Sequence, residues 1–352
     1  MKKTLSISFL IILTKALLFA GSLCAEQERT VSSPKDQIPP GYSMVLRVVH
    51  NLSDKTPDYP KHGHAVAFKR LVERRTDGKI KVDIFPLGQL YNDSDGVIAV
   101  SMGSIFGAEV DVAVLGAWDR GFSIFSLPGM FMDREHLYRF IGSEQGGKEL
   151  SKRVAAKGLM IAWWVSAPVV IFTRTKPITR MENLKGLKIR VPSTKLLVEA
   201  METIGLRAVP LNAGELYTAA QTGMVDAVAT LELSVALRRL DEVFYYCLSD
   251  TIYFNQGCSV CSIIQLKKMP VTVRKIVVEA WQEAARIHEG QILNKWVKKS
   301  HQELVKRGVR FTSLSREERR KLKEMWRLWG KEQGREIGMT LITEAIKTQF
   351  EK

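Results

Sequence analysis

The chain has 352 residues, 45% of them apolar and 25% charged, with 12 prolines and four cysteines. That apolar content supports one large or two ordinary domains and excludes a disordered chain, a collagen and a cysteine-stapled miniprotein. Lys and Arg number 52 against 37 Asp and Glu, a formal charge of +15 that fits nucleic acid, an anionic membrane or a small anionic ligand.

The amino terminus narrows these options. Lys2 and Lys3 precede an apolar stretch from Leu5 to Leu13, then Ala16 to Ala20 and the small residues Gly21 and Ser22. This is the order of a secretory signal. Lys15 interrupts the run, and no segment reaches the ~18 uninterrupted apolar residues of a membrane span. Residues 1–25 therefore read as an export signal. Cleavage after Ala25 and lipidation of Cys24 in a loose Ser22-Leu23-Cys24 box are both open. Removing the signal takes away three of the 52 cations, Lys2, Lys3 and Lys15, and leaves a charge of +12. An exported chain does not meet chromosomes or ribosomes, and it carries no zinc finger or RNA-binding signature, so no nucleic-acid partner is expected. Residues 26–43, with Ser32-Ser33-Pro34 and Pro39-Pro40-Gly41, read as a linker.

From Met44 the texture is globular. Val45–Val49 is a short β-type run, His64–Arg75 carries apolar residues at helical spacing, and Lys79–Phe85 alternates as a strand. Val97–Ser104 reads as a helix and Val110–Leu115 as a strand covered on both faces. A helix over Glu135–Lys157 follows, then separate strands at Leu159–Trp164, Val169–Thr173 and Leu187–Val191, and a helix around Lys195–Ile204. The alternation predicts α/β wiring with mostly parallel sheets. Val271–Arg307 has no Pro and one Gly, Gly290, with Ile276, Ala280, Ala284, Ile287, Trp296 and Leu304 near helical spacing. A helix longer than ~25 residues outgrows one layer of a small domain, so it is expected to lie across two lobes.

Candidate chemistry is sparse. Cys258-Ser259-Val260-Cys261 sits in a strand-like stretch, where residues three apart point to opposite faces. Buried thiols, or a disulfide from Cys247 to one of the pair, fit better than a redox or metal knuckle. His50, His62 and His64 are the only histidine cluster, but no Cys, Glu or Asp at ligand spacing completes a metal set. Surface or cleft histidines are expected there, and neither a metal nor a cofactor. No nucleophile elbow is present. The tandem Trp163-Trp164 ends a strand, where α/β sheets bind ligands, so recognition is a stronger expectation than catalysis.

Two longer segments resemble a known family. They are Asn183-Leu184-Lys185-Gly186-Leu187-Lys188-Ile189-Arg190-Val191-Pro192 and Glu215-Leu216-Tyr217-Thr218-Ala219-Ala220-Gln221-Thr222-Gly223-Met224-Val225-Asp226. Phe85–Leu90, Leu127–Phe131, Glu135-His136 and Pro177-Ile178 add to them, so that the likeness covers roughly residues 44–320 in order. Together they resemble the solute-binding receptors of TRAP transporters, the tripartite ATP-independent periplasmic family, of DctP-like type. The resemblance implies a two-lobe periplasmic-binding-protein-like α/β fold, with hinge strands and a long helix spanning both lobes. Residues 44–166 with about 257–295 would form lobe I, and residues 167–256 with about 296–352 lobe II. It also implies a periplasmic, non-enzymatic receptor that closes on a small organic acid and delivers it to membrane permease subunits. In some bacteria a tetratricopeptide-repeat protein is a further partner.

In that family the arginine of the Lys-Ile-Arg-Val-Pro motif pairs with the ligand carboxylate, which implies this role for Arg190. A guanidinium offers a carboxylate a planar fork of donors, and enclosure strengthens the pair. Three departures carry information. Val169 and Val170 stand where many members have a second arginine, Thr230 stands where an Asn is usual, and Ala213 replaces a frequent aromatic cover. Each removes polar recognition or frees volume. The expected ligand is therefore a monocarboxylate with an apolar body, packed near Val169, Val170, Trp164 and Ala213. His50, Asn51 and Trp118 are further candidate lining residues. The rival readings are an exported hydrolase on the same fold, and a sensing or membrane-surface protein using the basic segment Arg316–Lys331.

Overall fold

The computed structural model describes residues 38–55, 61–192, 194–211 and 215–350. The export signal, Cys24, most of the linker and Ala213 lie outside the described residues.

Strand β1 (Met44–His50) buries Leu46 and Val48 and exposes Val45 and Arg47, the period-two pattern of a half-covered strand. Helix α1 (His62–Arg75) returns the chain to β2 (Ile80–Phe85), which pairs parallel with β1. Helix α2 (Asp93–Ser101) starts at Asn92, whose side chain accepts from the Asp95 amide, and leads to β3 (Gly107–Asp111), parallel to β1 on its other side. Helices α3 (Arg134–Gly142) and α4 (Gly147–Ala155) precede the long strand β4 (Leu159–Thr173). Then come β5 (Lys188–Val191), α5 (Lys195–Glu202), β6 (Arg207–Pro210), α6 (Leu216–Gln221), β7 (Ala227–Leu231) and α7 (Glu232–Leu237). The chain continues through β8 (Tyr246–Ser262), α8 (Ile263–Lys268), α9 (Val271–Ile287) and α10 (Asn294–Lys306). It closes with β9 (Arg310–Thr312), α11 (Arg316–Glu332), α12 (Gly334–Ile337) and α13 (Met339–Lys347).

The strands form one sheet in the order β2-β1-β3-β8-β4-β7-β5-β6, with β9 on β8. Its seam is the antiparallel pair β4–β8, which runs from Leu159 opposite Ser262 to Thr173 opposite Tyr246. β3 joins the second half of β8 and β7 joins the second half of β4, so each long strand serves both halves of the sheet. The register slips between Val165 and Pro168 and again between Val169 and Ile171. Pro168 has no amide to give to the ladder, and such irregularities bend a strand.

Several sequence expectations change here. The strands foreseen at 159–164 and 169–173 are one strand, because β8 is long enough to pair with the chain on both sides of the slip. Five of the eight strand pairings are parallel, as foreseen, but the longest, β4–β8, is antiparallel. The helix foreseen over 135–157 is two helices: a Cβ on Gly146 or Gly147 would strike the carbonyl oxygen of Phe140 or Ile141, so the chain breaks there. The strand foreseen at 110–115 ends at Asp111 and goes on as a 3-10 turn over Val112–Ala117.

The long helix is present as α9 and α10, joined through a π segment at His288–Leu293. α9 packs on α1 of one sheet half and α10 on α7 of the other, and π turns are frequent at functional positions. Cys258 and Cys261 enter different cores and Cys247 a third, and all three are free thiols. On α11 the acids and bases pair within the helix, Lys321 with Glu317 and Arg327 with Glu324, so this segment is a solvated face. No helix of the described residues is long and apolar enough to cross a membrane.

Candidate functional site

Strand ends from both halves of the sheet converge on a cavity of about 500 Å³. Asn51 follows β1, Leu87 follows β2, Asp111 ends β3, Arg190 lies near the end of β5, and Thr230 and Leu231 end β7. Open α/β sheets bind ligands at the carboxyl ends of their parallel strands, where the connections splay and leave a crevice. The long strands supply Trp164, Val169, Tyr253 and Asn255, and α7 supplies Leu233, Ser234 and Leu237. A larger groove of about 830 Å³ lies beside α11, lined mainly by charged side chains such as Arg316, Glu317 and Arg320. It holds no strand end of the sheet, and we give it no part in recognition.

Arg190 is buried, at 6% exposure, and its Nε–H donates to the Leu211 carbonyl at 2.9 Å. The two terminal nitrogens of the guanidinium carry the remaining donors in a fixed planar fork. Burial lowers the Arg190 pKa; Tyr253 and Glu215 oppose that shift and the neighbouring cation Arg238 adds to it. A cation stripped of water beside a second cation gains from any carboxylate that reaches it.

The β1–β3 wall carries a second charge group. Lys61 Nζ lies 3.2 Å from Asp93 and 3.5 Å from Asp111, and donates to Asn51 Oδ1 at 3.1 Å. Burial pulls the Lys61 pKa down, but the two carboxylates outweigh it and the net shift is upward. The Asp93 pKa is also raised, by burial and by Asp111 against the pull of Lys61. The two directions agree physically, since one cation cannot fully compensate two neighbouring carboxylates. Lys61 and Leu87 both have positive φ, at 66° and 54°. A non-glycine side chain there costs of order 1–3 kcal/mol and persists only where its surroundings hold it. Both strained residues face the cavity.

Behind Trp164 runs a buried polar chain. The indole Nε1–H donates to Ser259 Oγ at 3.2 Å, the Ser259 hydroxyl donates to Glu109, and Glu109 meets His64 Nδ1 at 2.6 Å. His64 Nε2 faces the Trp281 carbonyl, and His288 of the π segment packs edge-on to Trp164 with ring centroids 5.0 Å apart. Trp164 is thereby fixed as a rigid wall.

Of the residues singled out in the sequence, the structure brings Arg190, Val169, Trp164, Thr230 and Asn51 to the cavity. Three others lie elsewhere. Val170 faces the opposite side of β4, in the core with Phe172 and Phe244, because neighbours on a strand alternate. Trp118 packs half-buried against another core, beyond the 3-10 turn that replaces the foreseen strand. His50 is buried behind the loop rather than facing the cleft: its Nδ1 accepts from the Leu52 amide, so Nε2 carries the proton and donates to His62 Nδ1 at 3.0 Å. His64, foreseen at a surface or cleft, is fully buried against Glu109. Sequence reasoning missed Lys61, Asp111, Tyr253 and Asn255. Asp111 left one trace, as the lone charge inside the apolar run 110–115.

The buried histidines predict an acid response. His50 and His288 both titrate near 3 instead of 6.5, mainly through burial, with His62 and Lys61 adding to the first and His64 to the second. As pH falls through 6.5 the unfolded chain takes up these protons and the folded chain does not. Stability therefore rises with pH between about 3 and 6.5, by up to roughly 1.4 kcal/mol per histidine per pH unit. A melting temperature that drops between pH 7 and pH 5, above the carboxylate range, is the expected result. A flat profile there would contradict it.

Two sheet halves sharing two long strands, with a buried cation and apolar walls around one crevice, are the construction of a solute-binding protein. The chain belongs to the family described as bacterial extracellular solute-binding protein, family 7 (DctP), which matches residues 50–333. It is a family of binding proteins, not enzymes. The chain is 31% identical over 189 residues to the C4-dicarboxylate-binding periplasmic protein DctP of Rhodobacter capsulatus, a match that covers 53% of this chain and 56% of that one. It spans 51–64% of the length of this and two further curated relatives. A TRAP periplasmic solute-binding protein from Ochrobactrum anthropi, solved with its C-terminus bound in the ligand-binding pocket, superposes with a TM-score of 0.80 at 23% identity, covering 87% of this chain and 94% of that one. Another from Shewanella oneidensis, with bound succinate, gives 0.78 at 21% identity, covering 87% and 99%. The likeness establishes the two-lobe α/β fold.

Proposed function

We propose that this protein is an extracytoplasmic solute receptor of a TRAP-type secondary transporter. It binds a small monocarboxylate with an apolar body, held at Arg190, and delivers it to membrane permease subunits from the periplasm. The observation that carries the reading is the buried Arg190 fork at a cavity whose adjoining wall is Trp164, Val169, Leu231, Leu233 and Leu237. A few placed polar groups on apolar walls are the usual composition of a ligand site. The lobes are 44–166 with about 257–295, and 167–256 with about 296–352. Ligand bridging both stabilises the closed form through contacts the open form lacks. The tetratricopeptide-repeat partner known for some relatives of this type, and a lipid anchor at Cys24, belong to the same proposal at its outer edge.

The test is a calorimetric screen of organic acids. Branched and longer-chain monocarboxylates are expected to bind, and succinate and sialic acid weakly or not at all. Tight binding of succinate or sialic acid, with none of the branched or longer acids, would refute the ligand class. Adjacent permease genes and mass spectrometry of co-purified ligand test the transport assignment.

A further inference from the structure

The cavity is electrically lopsided. Arg190 and Arg238 face it from the β5 and α7 side, whereas Lys61, Asp93 and Asp111 on the β1–β3 side sum to one negative charge. In the sheet order β8, β4 and β7 lie between β3, which ends at Asp111, and β5, which carries Arg190, and Tyr253 of β8 lines the cavity within that interval. The negative end is thus set apart from the carboxylate end, across the tyrosine.

Within the negative end, Asp93 and Asp111 differ. Asp93 is 15% exposed, and its Oδ2 accepts from both Lys61 and Asn51. Asp111 is 38% exposed, lines the cavity, and gives Oδ2 to Lys61 at 3.5 Å and Oδ1 to Asn255 at 3.5 Å. Both contacts are long, and an ionised carboxylate has about four acceptor positions. Asp111 therefore presents acceptor capacity, and the excess charge of its cluster, toward the ligand volume.

We propose that Asp111 receives a cationic amine at the far end of the ligand, so that the solute is an amino carboxylate with its two charges held apart. This rests on the receptor reading above and sharpens it: carboxylate on Arg190, apolar middle on Trp164 and Val169, amine on Asp111. A second carboxylate at the far end would meet Asp111 and be repelled, which separates this cavity from one built for dicarboxylates. An α-amino group beside the carboxylate would instead sit next to Arg190 and Arg238, so separation of the charges is part of the specificity.

The experiment is calorimetry on the full-length protein with chain-length-matched ω-amino acids, ω-hydroxy acids, unsubstituted acids and dicarboxylates, repeated on Asp111→Asn. The ω-amino acid of the best length is expected to bind at least tenfold tighter than its unsubstituted counterpart. Asp111→Asn should remove that preference, bringing the ratio of the two affinities to within about twofold of one, a readout that a general structural defect would not reproduce. Acids that bind with no preference for the amine, a preference for the dicarboxylate, or a preference that survives Asp111→Asn would each overturn the inference while leaving the receptor reading intact. Failure of every carboxylate to bind would overturn both.

Discussion

Replacing Arg190 by Ala is expected to weaken binding of the cognate acid by at least ~30-fold, the equivalent of ~2 kcal/mol, because the ligand carboxylate then enters a closed cavity without its partner. Folding should respond differently. Arg190 is a buried cation whose own burial works against its charge, so its removal costs the fold little beyond the bond from Nε to the Leu211 carbonyl. A variant that melts near the parent temperature yet binds weakly in calorimetry is the expected pair of results. Arg190→Lys should fall between the two, since an ammonium keeps the charge and loses the planar fork and the tie to Leu211. Unchanged affinity in the Ala variant would remove Arg190 from the site.

The family was legible from the sequence because its signature segments are also structural necessities. The stretch from Asn183 to Pro192 begins inside the 3-10 turn at Met181–Leu184 and contains the whole of β5, and Glu215 to Asp226 contains α6 and the turn into β7. Residues at Arg190 and Thr230 could be placed by position within such strands. Val170 could not, because nothing in the sequence says which face of β4 carries the cavity; that is decided by the distant core that Val170 enters with Phe172, Val228 and Phe244. The misplacement of His50 and His64 has another cause. His64 has partners far away in sequence, Glu109 on β3 and Trp281 on α9, and a histidine satisfied by distant groups looks the same in sequence as an exposed one; His50 is paired locally, with Leu52 and His62, but its burial is set by the fold around it. Lys61 and Asp111 escaped because an ion group assembled from the starts of two helices and the end of a strand has no local spacing to recognise.

Gly257→Ala is expected to be the most disruptive small change near the cavity. Gly257 pairs with Trp164 across the β4–β8 seam, and a Cβ built on it would overlap the far edge of the Trp164 indole. The ring has no free direction in which to yield: Nε1 is tied to Ser259, His288 packs edge-on to it, and its other surroundings are buried. Overpacking of this kind typically costs about 1–3 kcal/mol, and here any relief must come from moving a wall of the binding cavity, so stability and affinity should fall together. The helical Gly290 provides the contrast, since a Cβ there meets nothing within 4 Å, and Gly290→Ala should be neutral or mildly stabilising. The decisive measurement is a double-mutant cycle with Trp164→Phe, whose shorter ring lacks the edge that a Cβ would strike. If the clash is the cause, Gly257→Ala should cost markedly less in the Phe background than in the parent, as contacting residues couple in such cycles. Equal costs in the two backgrounds would place the damage in the backbone of β8 instead of in the wall that Trp164 forms.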